Sequence, residues 1–154
     1  MKVAINTLPG GMFDLSDKAA IELFKLNNER KRVYVYIRAN NKQFINISEE
    51  NLKYDQFNNI TNLGGDVRDI WLSEIYLGMI TINSRLDLAS AEATQLTSFV
   101  DSIDRDNKYL IKILEEWGTD KVSGNHSYIR IEETTNENWV IQENVDGIEN
   151  IIYY

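Results

Sequence analysis

Two apolar stripes at helical spacing, followed by a run of short alternating segments, constrain this fold more than any other feature. Leu96, Phe99, Val100 and Ile103 recur on one helix face, and Leu110, Ile113, Leu114 and Trp117 repeat the pattern before Gly118 stops it. Tyr128 to Ile131 then alternates, Trp139 to Glu143 does so less cleanly, and Asp146-Gly147 is hairpin-turn chemistry ahead of Ile148 to Tyr153. The spacing predicts a small antiparallel sheet made by all three C-terminal segments.

Upstream, Val3-Ala4-Ile5-Asn6 reads as a short strand broken by Pro9-Gly10-Gly11. Ser16 is a natural N-cap for a helix from about Asp17 to Asn27, with Ala20, Leu23, Phe24 and Asn27 on one face. Val33-Tyr34-Val35-Tyr36-Ile37 alternates aliphatic and aromatic residues, a strand pattern. Asn40-Asn41 then turns the chain so that Phe44 to Ile47 returns as the second arm of a hairpin. Ser48 to Asp66 reads as irregular, with one short element between Tyr54 and Ile60. Asp69 to Ser73 reads as a buried strand, and Gly78 to Asn83 as a further short strand or an extended connection. The expectation is an α+β fold, mostly antiparallel sheet with about three helices and a C-terminal β-hairpin, in one domain over residues 1–154.

Composition narrows the function classes. Hydrophobic residues make up 43% of the 154, enough for a packed core. Cysteine is absent, which excludes disulfides, a thiol nucleophile and thiolate metal sites. No stretch approaches the roughly 20 apolar residues of a bilayer span, and Met1 to Thr7 holds no signal-like apolar run, so a cytoplasmic protein is expected. The formal net charge is −8, which opposes direct binding to nucleic acid. The asymmetry matters more. After Arg130 there is no Lys or Arg, while Glu132, Glu133, Glu137, Glu143, Asp146 and Glu149 follow.

Two stretches carry a resemblance. Ile5 to Asp17, with its Asn6, Gly10-Gly11, Phe13 and Leu15-Ser16, resembles the opening of a family of small bacteriophage and prophage proteins. So does the span from Ile103 to Ile151, through Leu114-Glu115-Glu116-Trp117-Gly118, Trp139 to Glu143 and Asp146 to Glu149. Trp71-Leu72-Ser73 and Leu77-Gly78 match a shorter central signature. The resemblance implies a source, phage or prophage, and an accessory role; it implies no reaction.

The residues offer few routes to catalysis. His126 is the sole histidine, with only the generic Ser123 and Ser127 beside it, and one histidine cannot make a His-based zinc site. Glu115-Glu116 and Glu132-Glu133 place neighbours on different faces, which suits solvation. No EF-hand-like loop occurs. The reading is therefore a non-enzyme without catalytic residues, cofactor or metal. Two binding mechanisms compete. In the first, an acidic surface exposing Glu143, Asp146 and Glu149 docks on a basic host defence protein. In the second, the backbone N–H groups of Gly10 and Gly11, with Arg38, Tyr34 and Tyr36, sequester a nucleotide-like signal. Arg30, Lys31, Arg32 and Arg38 are the only clustered cations available to it. Against it stands a plain strand-to-helix turn at Gly10-Gly11. A minor virion or assembly component is a further alternative. Tyr34 and Tyr36 point away from Val33, Val35 and Ile37, toward a second layer, a base-stacking pocket or, first among these, another subunit of a homo-oligomer.

Overall fold

A computed structural model describes residues 1–29, 32–38, 44–62, 69–77 and 93–154, Arg38 in its backbone only. The expected Asn40-Asn41 turn, the Gly64-Gly65 pair, the 78–83 segment and the cations Arg30 and Lys31 lie outside the described residues.

Strand β1 (Lys2–Asn6) leads into helix α1 (Asp17–Asn27), which begins where its chemistry requires. Ser16 is extended at φ −60° and its Oγ accepts the Ala19 N–H, while Asp17 complements the positive end of the helix. Ala20, Leu23 and Phe24 are buried along one face; Asn27 turns its amide back to the Leu23 carbonyl. Strands β2 (Tyr34–Arg38) and β3 (Phe44–Ile47) pair antiparallel as the hairpin expected, and β4 (Ile70–Ser73) and β5 (Thr94–Gln95) extend the sheet in the order β3-β2-β4-β5. The 48–62 segment holds a 3-10 turn at Glu49–Asn51 and a bridge between Tyr54 and Ile60.

Helix α2 (Leu96–Ser102) and helix α3 (Lys108–Trp117) carry the two apolar stripes. Leu96, Phe99 and Val100 are buried from the first, and Leu110, Ile113 and Leu114 from the second, with Ile103 and Trp117 partly buried beside them. Phe24 of α1 meets Phe99 of α2 edge to face at 5.3 Å. Asn107 caps α3 by accepting the Tyr109 and Leu110 N–H groups. Gly118 ends it at φ +85°, a conformation that favours glycine, and a one-turn helix α4 (Thr119–Val122) follows, which the sequence did not announce.

The C-terminal segments differ from expectation. Strand β6 (Ile129–Glu133) pairs antiparallel with β1, register Ala4 to Ile131, and does not join the last two strands. Ile129 and Ala4 enter the main core together with α1 and α3, so pairing with β1 buries β6's apolar residues. Strands β7 (Trp139–Glu143) and β8 (Glu149–Tyr153) form a two-stranded sheet of their own, the C-terminal hairpin expected. The fold is α+β, built on antiparallel sheets.

Tyr34 and Tyr36 also find a use inside the chain. Val35, Ile37, Ile70 and Leu72 face the helices, and the opposite sheet face holds a second cluster of Tyr36, Phe44, Trp71 and Ala93, against which Tyr34 and Leu77 pack. Tyr36 is fully buried, with its hydroxyl accepting the Leu77 N–H at 2.8 Å. Burial pushes its ionisation above the ordinary phenol range. Of the three uses considered for these tyrosines, a second layer within the chain is the one the structure shows; a Tyr36 contact with another subunit or a stacked base is excluded by that burial.

Candidate functional site

The Gly10-Gly11 loop and the Asp146-Gly147 turn, read from the sequence as parts of rival sites, meet in the structure. The Gly10 N–H donates to the Asp146 carbonyl and the Gly11 N–H to the Leu8 carbonyl. A Cβ at Gly147 would overlap the Gly11 carbonyl oxygen, and one at Gly11 would overlap that of His126. Both glycines are therefore required by close backbone approach, and Gly147 also sits at φ +86°. Gly10 and Gly11 have no N–H left to cradle an anion: the loop is a seat for the hairpin turn. Tyr36 is buried and the Gly10 and Gly11 N–H groups are engaged, so these members of the expected site are not open to a ligand, and the Arg38 side chain lies outside the described residues.

A buried polar latch closes this junction. Asn6, fully buried, donates its backbone N–H to Glu149 Oε1 at 2.7 Å and its Nδ2 to the Gly147 carbonyl at 3.0 Å. Its Oδ1 accepts the Leu8 and Tyr128 N–H groups. Arg105 grips the Glu149 carboxylate bidentately at 2.6 and 2.8 Å and stacks its guanidinium 3.6 Å from the Phe13 ring centroid. Glu149 is only 5% exposed, so the expectation that it belongs to an exposed acidic surface is corrected. A buried carboxylate needs a charge partner and further donors, and Arg105 and Asn6 supply both. No local signal marks this pairing, since Arg105 lies in a connection 44 residues away.

Glu143 and Asp146 are exposed as expected. They border a ribbon whose register places Trp139, Ile141, Ile151 and Tyr153 on one face and Val140, Gln142, Asn150 and Ile152 on the other. Trp139, Ile141 and Ile151 of the first face are partly buried, with β8 lying against β1, and Tyr153 at its end is exposed. The second is open, leaving Val140 48% and Ile152 41% exposed as a cross-strand pair. Glu132 and Glu133 are exposed on β6, and Glu137 is exposed in the loop that leads into β7. Among the described residues neither outer edge of the ribbon pairs with another strand, and from Trp139 to Gln142 and Asn150 to Tyr153 no charge guards those edges.

His126 is exposed and lines a cleft of about 240 Å³ with Asp14, Asp17, Asn59 and Asn125. Burial raises the Asp14 carboxyl above the ordinary carboxylate range, and the Asp17 and Asp101 charges add to it, while the Leu15 N–H and His126 act in the opposite sense. The sequence reading missed Asp14, whose enclosure depends on Gly124: a Cβ there would strike its carboxylate. Among the described residues no group of three or more His, Asp or Glu side chains is placed to hold a metal ion, and no helix is long and apolar enough to cross a membrane.

Compared with family models, curated proteins and solved structures, the chain matches none.

Proposed function

We propose that this protein acts by binding, and that the β7–β8 ribbon is the surface that engages a basic partner protein. One observation carries the reading: an open apolar face and two edges unpaired among the described residues stand with exposed acids, and no cation follows Arg130 in the sequence. A two-stranded ribbon is marginal alone, and here the latch at Glu149 fixes its turn end before any partner arrives. Preorganisation lowers the entropy lost on association. A partner strand laid along either edge would pair with its free N–H and C=O groups. Completing the burial of Val140 and Ile152 would add roughly 1 kcal/mol each. The exposed carboxylates would act mainly on encounter rate and on choice of partner. The same charges would oppose a homo-oligomer formed ribbon to ribbon.

Joined to the sequence resemblance, these features support a phage or prophage accessory protein of the host cytoplasm that blunts a host defence protein. Sequestration of a nucleotide-like signal at the glycine loop draws no support from a loop whose N–H groups are engaged. The test is capture of host proteins at low and high salt by the protein and by its Glu143→Lys/Asp146→Lys variant. A basic partner should be retained at low salt, released as salt rises and captured more slowly by the variant. Capture indifferent to salt and to both substitutions would refute the electrostatic reading, and abundance in purified virions would favour the assembly role.

A further inference from the structure

A second surface lies away from the ribbon, in a groove of about 620 Å³ lined by Phe57 and Tyr128 with Gln56, Asp120 and Asn125. Its size is within the roughly 300–1,000 Å³ of small-molecule sites. Phe57 is 57% exposed at the tip of a tightly tied loop. Asp55 Oδ1 accepts the Phe57 and Asn59 N–H groups at 2.9 and 3.0 Å, and the Tyr54–Ile60 bridge closes the loop below. The Asn58 carbonyl accepts the Lys18 N–H, which ties the tip to the start of α1. The fold thus holds a large apolar ring out in water on a support that has little freedom left to lose. Tyr128, 41% exposed, is fixed in the same way: its N–H donates to Asn6 Oδ1 and its carbonyl accepts from Thr7.

Part of the polar lining is engaged within the fold, Ser127 Oγ donating to the Asp14 and Gly124 carbonyls and Ser123 Oγ accepting the Ile129 N–H, and part is free. Asn125 accepts from Asn59 Nδ2 through its Oδ1, which turns its own NH₂ outward with no partner among the described residues. Gln56 and Asp120 are exposed and also lack side-chain partners among them. Planar amides and a carboxylate present paired donors and acceptors at the spacing of adjacent hydroxyls, and exposed aromatic rings suit the C–H faces of a pyranose. Among the described residues the charged side chain lining the groove is Asp120, which disfavours a phosphate-bearing guest, while the Arg130 guanidinium stands 5.9 Å from the Tyr128 ring centroid at its border.

We propose that this groove binds a neutral saccharide, stacked on Phe57 or Tyr128 and hydrogen-bonded by Gln56, Asp120 and Asn125. Saturation-transfer NMR on the whole protein tests it, with maltotriose, lactose and tri-N-acetylchitotriose as probes and adenosine monophosphate as the charged comparator. At least one saccharide should bind saturably, with transfer strongest at ring C–H protons. Phe57→Ala should weaken that binding about tenfold, the scale of one lost aromatic contact with its buried area, and Asp120→Asn should weaken it as well. Both residues are exposed, so the variants should unfold at the wild-type temperature, and this is measured alongside. Absence of binding by all three sugars, binding unchanged in Phe57→Ala and Tyr128→Ala, or binding of the nucleotide at this groove would each overturn the proposal.

Discussion

Replacing Glu149 tests the junction that positions the ribbon. Glu149→Gln keeps the shape and one acceptor for the Asn6 N–H but removes the charge that Arg105 grips at 2.6 and 2.8 Å. Breaking a fully buried ion pair costs about 3–5 kcal/mol. The Arg105 side chain is 23% exposed and would keep its contacts with the Ala4 carbonyl and the Phe13 ring, so about 2–3 kcal/mol is expected here. Glu149→Ala also leaves the buried Asn6 N–H without an acceptor, adding about 1–3 kcal/mol. Glu149→Lys should be worse still, because it sets a second cation against Arg105. Glu143 provides an internal control: it faces Glu149 across the hairpin, yet it is exposed. Glu143→Gln should therefore change stability by no more than about 0.5 kcal/mol. Urea unfolding followed by circular dichroism and tryptophan fluorescence measures all four variants. Equal losses for Glu143→Gln and Glu149→Gln would refute the reasoning.

Three further outcomes follow from burial and titration. Leu114→Ala, at a buried position of the α3 stripe, should lower stability by about 2–5 kcal/mol in denaturant unfolding; a midpoint near that of wild type would refute the stripe. Asp14 is an acid whose folded pKa is raised, so the folded state holds its proton more tightly and the penalty for its charge is present above that pKa. It is relieved as pH falls toward the ordinary value of 3.8, and Asp14→Asn should stabilise at neutral pH with an advantage that shrinks on acidification. An advantage constant with pH would contradict this. Tyr54 is pushed up to about 12 by burial, with Asp17 and Glu49 adding, so its phenolate should appear after those of tyrosines near the ordinary value of about 10. Tyr54→Phe should remove a late step from the alkaline absorbance titration, and the stability tied to the neutral hydroxyl should fall as pH rises from about 10 toward 12.

What was legible in the sequence was local. Ser16 and Asp17 mark the start of α1 because a cap and a dipole act within one turn, and the α2 and α3 stripes follow from helical period. The Asp146-Gly147 turn announces the β7–β8 hairpin for the same reason. What was hidden depends on contacts distant along the chain. Nothing near Ile129 says that its partner strand begins at Lys2. Glu143 and Glu149 flank one turn and look alike, but only Glu149 has Asn6 and Arg105 beside it. The glycine loop resembled an anion cradle because the sequence cannot show that the hairpin already fills it. Asp14 stayed unnoticed because its enclosure depends on the missing side chain of Gly124.

The most direct measurement places a photo-cross-linking residue at Val140 or at Ile152, with the same residue at exposed Lys112 on α3 as the reference position. Irradiation is carried out in living cells that make the 154-residue chain. One covalent adduct with a basic protein is expected from either ribbon position, absent from the Lys112 position and reduced by Glu143→Lys/Asp146→Lys. Adducts that form equally from Lys112, or none from Val140 and Ile152, would contradict the claim that the acidic ribbon is the binding surface.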